Sequence, residues 1–361
     1  MQHLRIANEN TPSPGSSAHF IEMYMFAYSG IFSFIVNENT LAGLVHSQSD
    51  LDLLPCSEVL DLFLIVDSSG SLSDTDFQEA KDAMSRIVEN LDIEENRVLV
   101  TLINYSKDVK VSTTFTLDSA QTKDNIKSEI QKLDQMKDST STGDALAKAQ
   151  DLCSTQCRPF NQAVSRVAVV FTDGESNSGN IKAIPGAQLL KDEYVTIFTV
   201  GIGKINPTEL QAIASPPVTE NYLHITNYAE LMKKVNFIRR KLCLTPAFVS
   251  TKKKFHGTVK QGQYRFYKLD VSKLVNGGTV EIDFVDTKGK TALQTSTTDS
   301  HPLRKQSNNN QPGRPKRSTF KKVDGIKSGT SVFYFSVLGM VPGVSEFEFT
   351  ASMLDQKHHQ L

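Results

Sequence analysis

The chain has 361 residues, enough for two domains. Lys and Arg number 39 and Asp and Glu 40, for a net charge of −1. That balance argues against a general nucleic-acid binder, whose affinity needs a basic face. The apolar fraction of 39% is compatible with folded cores, there are four cysteines and tryptophan is absent.

Residues 1–55 read as a disordered N-terminus that carries a signal sequence or an anchor. Met1 to His19 is polar, with Pro12 and Pro14. Met23 to Val36 is mostly apolar. It is short for a membrane span and has the length of a signal-peptide core, with Leu41 to Ser47 as a cleavage region. Glu22 and the scarcity of positive charge before it weigh against secretion. A short membrane anchor and a packed or disordered extension stay open beside the signal.

Residues 56–243 alternate strands with helices. Leu62 to Val66 is a buried-strand pattern that runs straight into Asp67-Ser68-Ser69-Gly70-Ser71. A carboxylate and two hydroxyls thus stand at alternate positions at a strand end, where open parallel sheets place ligand sites. Ser73 and Asp76 form a capping box, and Phe77, Ala80, Met84, Ile87, Val88 and Leu91 make a helical core stripe. Arg97 to Tyr105 is a strand, and Val109 to Phe115 returns antiparallel as an edge. Asp124 to Met136 is a predicted helix, and the hydroxyl-rich loop Lys137 to Thr142 opens another at Gly143 to Leu152. Val164 to Thr172 is a central strand that ends in Asp173-Gly174. A helix (Ile181 to Asp192), a strand (Val195 to Val200), a short helix (Pro207 to Ala214), a last strand (Tyr222 to Ile225) and a closing helix (Ala229 to Leu242) follow. Gly201-Ile202-Gly203 lacks the third glycine and the acidic partner of a dinucleotide fingerprint, and reads as a tight turn. The pattern predicts an α/β domain with a doubly wound, mostly parallel sheet.

Asp67-x-Ser69-x-Ser71, then Thr140 in Thr-x-Thr-Gly, then Thr172-Asp173-Gly174 resembles the metal ion-dependent adhesion site of the von Willebrand factor A-type domain. The match runs from about Asp61 to Leu242. The resemblance implies that Asp67, Ser69, Ser71, Thr140 and Asp173 hold Mg²⁺ or Mn²⁺, some directly and others through water. Oxygen-only donors suit such a hard cation. Two carboxylates leave it with residual positive charge, and Mg²⁺ commonly keeps waters. An exposed Asp or Glu on a partner protein would displace one of them. The plainer alternative is a cluster of helix caps and turns. An enzyme is not expected: a serine nucleophile needs a positioned base, neither His224 nor His256 has a signature linking it to these serines, and no Gly-x-Ser-x-Gly elbow occurs.

Cys56 and Cys243 flank this domain, and extracellular A-type domains imply a disulfide between them. Cys153 and Cys157, four apart at a helix end, suit a small local disulfide. Zinc would need a second Cys or His pair. The even count favours an oxidising compartment, with reduced cytosolic cysteines as the alternative. Asn104-Tyr105-Ser106 is a glycosylation sequon at a strand end.

Residues 244–256 read as a linker, with Pro246 and Lys252-Lys253-Lys254, and 257–354 as a smaller all-β sandwich before a tail at 355–361. Alternating runs at Tyr264 to Leu269, Thr279 to Phe284, Ser331 to Val337 and Glu346 to Thr350 carry this reading. The opening Gly262 to Val271 is similar to jelly-roll modules that trail secreted bacterial proteases. His301 to Lys322 holds seven Lys or Arg and no acid. It is a candidate surface for sulfated polysaccharide, and Arg314-Pro315-Lys316-Arg317 resembles a convertase site cut after Arg317; a plain solvated loop is the commoner alternative. The whole is read as a secreted or cell-surface adhesion protein, with extracellular matrix among its candidate partners. An intracellular A-type scaffold for a multiprotein complex and an accessory module of a separate secreted hydrolase are the rival readings.

Overall fold

The computed structural model describes residues 3–4, 23–28, 31–36, 59–93, 97–114, 121–303 and 319–355. The chain divides into two units, 1–53 and 54–361. The first carries β1 (His3–Leu4), β2 (Met23–Tyr28) and β3 (Ile31–Val36) in one antiparallel sheet. The apolar stretch Met23 to Val36, expected as a single signal or anchor segment in a disordered terminus, is therefore a pair of strands that meet at Tyr28 and Ile31. Its aromatic and β-branched residues suit an extended backbone. No helix among the described residues is long and apolar enough to cross a membrane.

In the second unit, β4 (Leu60–Asp67) is the organising strand. Around it stand β5 (Val98–Tyr105), β6 (Val109–Thr113), β7 (Ser165–Thr172), β8 (Thr196–Ile202) and β9 (Tyr222–Ile225) in the order β6-β5-β4-β7-β8-β9. All neighbours are parallel except β6, which returns antiparallel on β5. The chain leaves β4 first for β5 on one side and later for β7 on the other, so the sheet's switch point lies between β4 and β7.

The helices are α1 (Asp74–Glu89), α2 (Lys123–Gln131), α3 (Thr142–Gln156), α4 (Ala183–Asp192), α5 (Pro207–Ile213), α6 (Val218–Asn221) and α7 (Tyr228–Leu244). Alternation along β4 divides the core. Leu62, Leu64 and Val66 pack with α1 and α7 on one face, while Phe63 and Ile65 pack with α3 and α4 on the other. Ser73 caps α1 in the expected box with Asp76. Helix α2 ends at Gln131, five residues short of expectation, and α4 begins at Ala183, after Asp144 has bound the amides of Asn180 and Ile181.

The sandwich follows without a free linker. Within 244–256 lie β10 (Ala247–Val249) and the start of β11 (Lys254–Lys260), with Ala247, Val249 and Phe255 in the sandwich core. Pro246 and the lysine run had masked that short alternation. Two sheets of four strands, β10-β12-β16-β14 and β11-β17-β13-β15, are completed by β12 (Tyr264–Asp270), β13 (Gly278–Lys288), β14 (Thr291–Ser296), β15 (Thr319–Ile326), β16 (Val332–Gly339) and β17 (Val344–Asp355). Phe284, Phe335, Phe347 and Phe349 fill the space between them. The sandwich also takes in Ala163 of the α/β domain, whose carbonyl accepts from buried Arg265 at 3.0 Å, and Lys268 Nζ reaches Thr196 Oγ1 at 3.1 Å.

Candidate metal centre

Apolar β4 carries Asp67 to the switch point as its last residue, fully buried at 0% exposure. Ser69 N donates to Asp67 Oδ1 at 2.8 Å, and Thr172 Oγ1, on the last residue of β7, donates to Oδ2 at 2.6 Å. The Ser69 and Ser71 hydroxyls meet at 2.9 Å, and Ser71 Oγ donates to Asp173 Oδ1 at 2.8 Å. Because Thr172 and Asp173 are neighbours in sequence, these contacts close a ring across β4 and β7. Four of the five expected residues are in it.

Thr140, the fifth, stands just before α3 and is buried. Its loop is laced to the first one: Gly70 N donates to Asp138 O at 2.8 Å and Lys137 N to Ser68 O at 2.9 Å. Thr140 contacts the third loop through its own backbone. The first turn of α3 and the segment leading into α4 approach closely here. A Cβ on Gly143 would lie 2.0 Å from Ile181 O, and one on Gly186 2.4 Å from Gly143 O.

Burial pushes the Asp67 carboxyl up to about 6, against the opposing hydrogen bonds from Thr172 and Ser69; Asp173 adds like-charge repulsion. Burial also raises Asp173, opposed by Ser71. Among the described residues, both carboxylates are met by amide and hydroxyl donors and by no ion pair. A buried carboxylate is ordinarily paired with a base or bound to a metal. The donors here are all oxygens, two of them carboxylates, which fits a hard divalent cation. Such a cation would supply the missing positive charge and, at a coordination position the protein leaves open, a place for an outside oxygen. Among the described residues there is no cluster of three or more His, Cys, Asp or Glu; this centre has two carboxylates and relies on hydroxyls.

Several residues were singled out by sequence and sit elsewhere. His224 Nε2 lies 2.8 Å from Gly203 O, and His256 Nδ1 lies 3.1 Å from Glu348 Oε1, so neither is bonded to Ser69 or Ser71. Asn104 of the sequon is buried, and its Nδ2 donates to Asp134 O at 2.8 Å. Cys153 and Cys157 are bonded to each other across the end of α3. Cys243 is also in a disulfide, while Cys56 lies outside the described residues, as do Arg314, Lys316 and Arg317 of the basic loop. Thr172, Asn177 and Asp144 were not assigned roles from sequence. Thr172 was legible in part, since a hydroxyl at the end of the neighbouring strand faces the same switch point. Asn177 and Asp144 act through loop backbone and leave no periodic signal.

A doubly wound sheet with a carboxylate–hydroxyl cluster over its switch point defines an A-type α/β domain. Residues 61–236 match the family model "von Willebrand factor type A domain", and this part of the chain is such a domain. Human matrilin-1 is 31% identical over 188 residues, which cover 52% of this chain and 37% of that protein. The human collagen alpha-6(VI) chain is 32% identical over 188 residues, 52% of this chain and 8% of its own length. The chain thus spans well under half of these relatives. Among solved structures, proximal thread matrix protein 1 from the mussel byssus has a TM-score of 0.48 at 22% identity, with 58% of this chain and 51% of that chain covered.

Proposed function

We propose that this chain is an extracellular adhesion module that grips a partner protein's exposed Asp or Glu through Mg²⁺ or Mn²⁺ held by Asp67, Ser69, Ser71, Thr140 and Asp173. The observation that carries the reading is Asp67 itself: a fully buried carboxylate at the switch point, surrounded by hydroxyls and lacking a basic partner among the described residues. The protein supplies two negative charges and three neutral donors, so the bound cation keeps residual positive charge and vacant positions. A partner carboxylate completes the set. The domain binds and does not transform its ligand.

The likeness to matrilin-1 and a collagen VI chain supports a matrix setting and a secreted or cell-surface location. The disulfides at Cys153–Cys157 and at Cys243 support an oxidising compartment and weigh against the intracellular scaffold. Sulfated polysaccharide at the basic loop, and the role of residues 1–55 in export, belong to the same reading as its less supported parts. To test it, the secreted full chain is passed over immobilised matrix extract with Mg²⁺ and then with EDTA. Retention in Mg²⁺ and release by EDTA are expected; equal retention in both would sink the cation-bridged mechanism.

A further inference from the structure

Asp67 and Asp173 are anchored by the ends of β4 and β7, whereas Thr140 comes from a loop whose neighbouring residues Ser139 and Ser141 are tied to Ser106, just past β5. The backbone N–H and C=O of Thr140 itself are both taken up by the third loop. Thr140 N donates to Asn177 Oδ1 at 2.9 Å. The Thr140 carbonyl accepts in return from Asn177 N at 2.9 Å, Ser178 N at 3.1 Å and Ser176 Oγ at 3.3 Å. One residue of the second loop is thereby clasped by three consecutive residues of the third. Both flanks of that segment are fixed as well. Glu209 Oε1 accepts from Ser176 N at 2.8 Å, and the Asp144 carboxylate accepts from Asn180 N and Ile181 N at 2.9 and 2.7 Å. Asn177 is exposed, so core packing does not account for it. Its side chain is the one that satisfies the Thr140 amide.

We propose that Asn177 is a positioning residue for the cation: it locks the Thr140 loop to the Asp173 loop, so that donors from two different loops are held as one body. This rests on the reading of the five residues as a metal site. Partners that orient metal donors from behind typically change metal affinity by about 10–100-fold when removed. The clasp would do so here without touching the ion.

The test uses the full chain and the metal alone. Mn²⁺ and Mg²⁺ uptake is measured by titration calorimetry for wild type, Asn177→Ala and Asn177→Asp, with melting and amide exchange recorded in EDTA. Asn177→Ala is expected to weaken uptake by roughly tenfold or more, to leave the melting point in EDTA unchanged, and to speed exchange at the Thr140 amide. Asn177→Asp keeps the acceptor and the shape, and is expected to bind at least as tightly as wild type. Normal uptake by Asn177→Ala would overturn the role of Asn177 while leaving the metal site standing. Equal weakening in both variants with a lowered melting point would mean a merely structural role. A wild type that takes up no cation would remove the metal reading itself, and this proposal with it.

Discussion

Strand β4 carries a fully buried carboxylate near each end, and the two are treated in opposite ways. Asp61, at the N-terminal end, accepts from Arg158 Nε at 2.7 Å and from the Arg158 backbone amide at 2.8 Å. Its charge is answered within the protein. Asp67, at the other end, has a serine amide and a threonine hydroxyl but, among the described residues, no guanidinium or ammonium, and burial lifts its carboxyl to about 6. Their separation of six positions in sequence means little; what differs is which edge of the sheet they face. A parallel sheet collects its ligand-binding loops at the carboxyl ends of its strands. At one end of β4 the buried carboxylate is paired within the protein, and at the other, among the described residues, it has no basic partner, which is what the proposed cation would supply.

The sharpest way to break this comparison is to delete the unanswered charge. Asp67→Ala and Asp173→Ala are each expected to abolish Mn²⁺ uptake in titration calorimetry, because each removes half of the protein's negative charge at the centre. Asp61→Ala, if it folds, should still take up the ion. Retained uptake by either centre variant would show that the cation, if bound, sits elsewhere.

The next effect is on stability. Asp61→Asn takes from the buried Arg158 guanidinium the carboxylate that its Nε meets at 2.7 Å. Breaking one partner of a buried ion pair typically costs about 3–5 kcal/mol. Burial already lowers the Arg158 pKa, with Asp61 opposing that shift, so loss of Asp61 removes its principal support. Denaturant unfolding in EDTA should show the loss in full. A cost below about 1 kcal/mol would mean that the pair is screened as surface bridges are.

How much of this contrast was readable beforehand differs between the two ends. Asp67 was legible because its chemistry is local: an apolar strand followed by Asp-x-Ser-x-Ser, with Asp173 after a second such strand. The doubly wound order was legible for the same reason, since periodicity changes at each element. Asp61 was not, because Arg158 lies 97 positions away and reaches it only after α3 and its disulfide turn have folded back. Asn177 was hidden likewise, as a loop residue bonded to the backbone of another loop. In the sandwich, the long strands β12, β13, β16 and β17 were visible by alternation. Strand β10 was not, since three residues after a proline give too short a period to detect.

A third change tests the sign of the Asp67 effect. Its folded pKa of about 6 lies above the ordinary aspartate value of 3.8, so between those values the metal-free folded state holds a proton that the unfolded state has lost. Stability without metal therefore falls as pH rises from about 4 through 6, and the cost is fully present at pH 7. Asp67→Asn lacks that slope. In EDTA at pH 7 it is expected to be more stable than wild type by up to about 3 kcal/mol, the equivalent of a shift of roughly two pK units, and the two should converge near pH 4. Saturating Mn²⁺ should stabilise wild type alone. A variant less stable than wild type in EDTA at pH 7 would mean that the charge is already answered.

The smallest expected effect concerns what holds Arg158 in place. Cys157 immediately precedes it and is tied back to Cys153 across the end of α3, and Arg158 then contributes both its amide and its side chain to Asp61. Cys153→Ser with Cys157→Ser opens a very short loop, for which chain entropy gives about 2 kcal/mol. If the bridge acts only through the unfolded chain, its removal should add independently to Asp61→Asn. If it holds the Arg158 backbone against Asp61, the two losses should overlap, and the combined variant should lose less than their sum, as for residues that share a partner. Metal uptake at the far end of α3 should be unchanged in the disulfide variant, because Thr140 is held by the third loop and not by the end of α3 that the bridge closes. A matched loss of Mn²⁺ affinity would show that the two ends of the domain are mechanically joined through that helix.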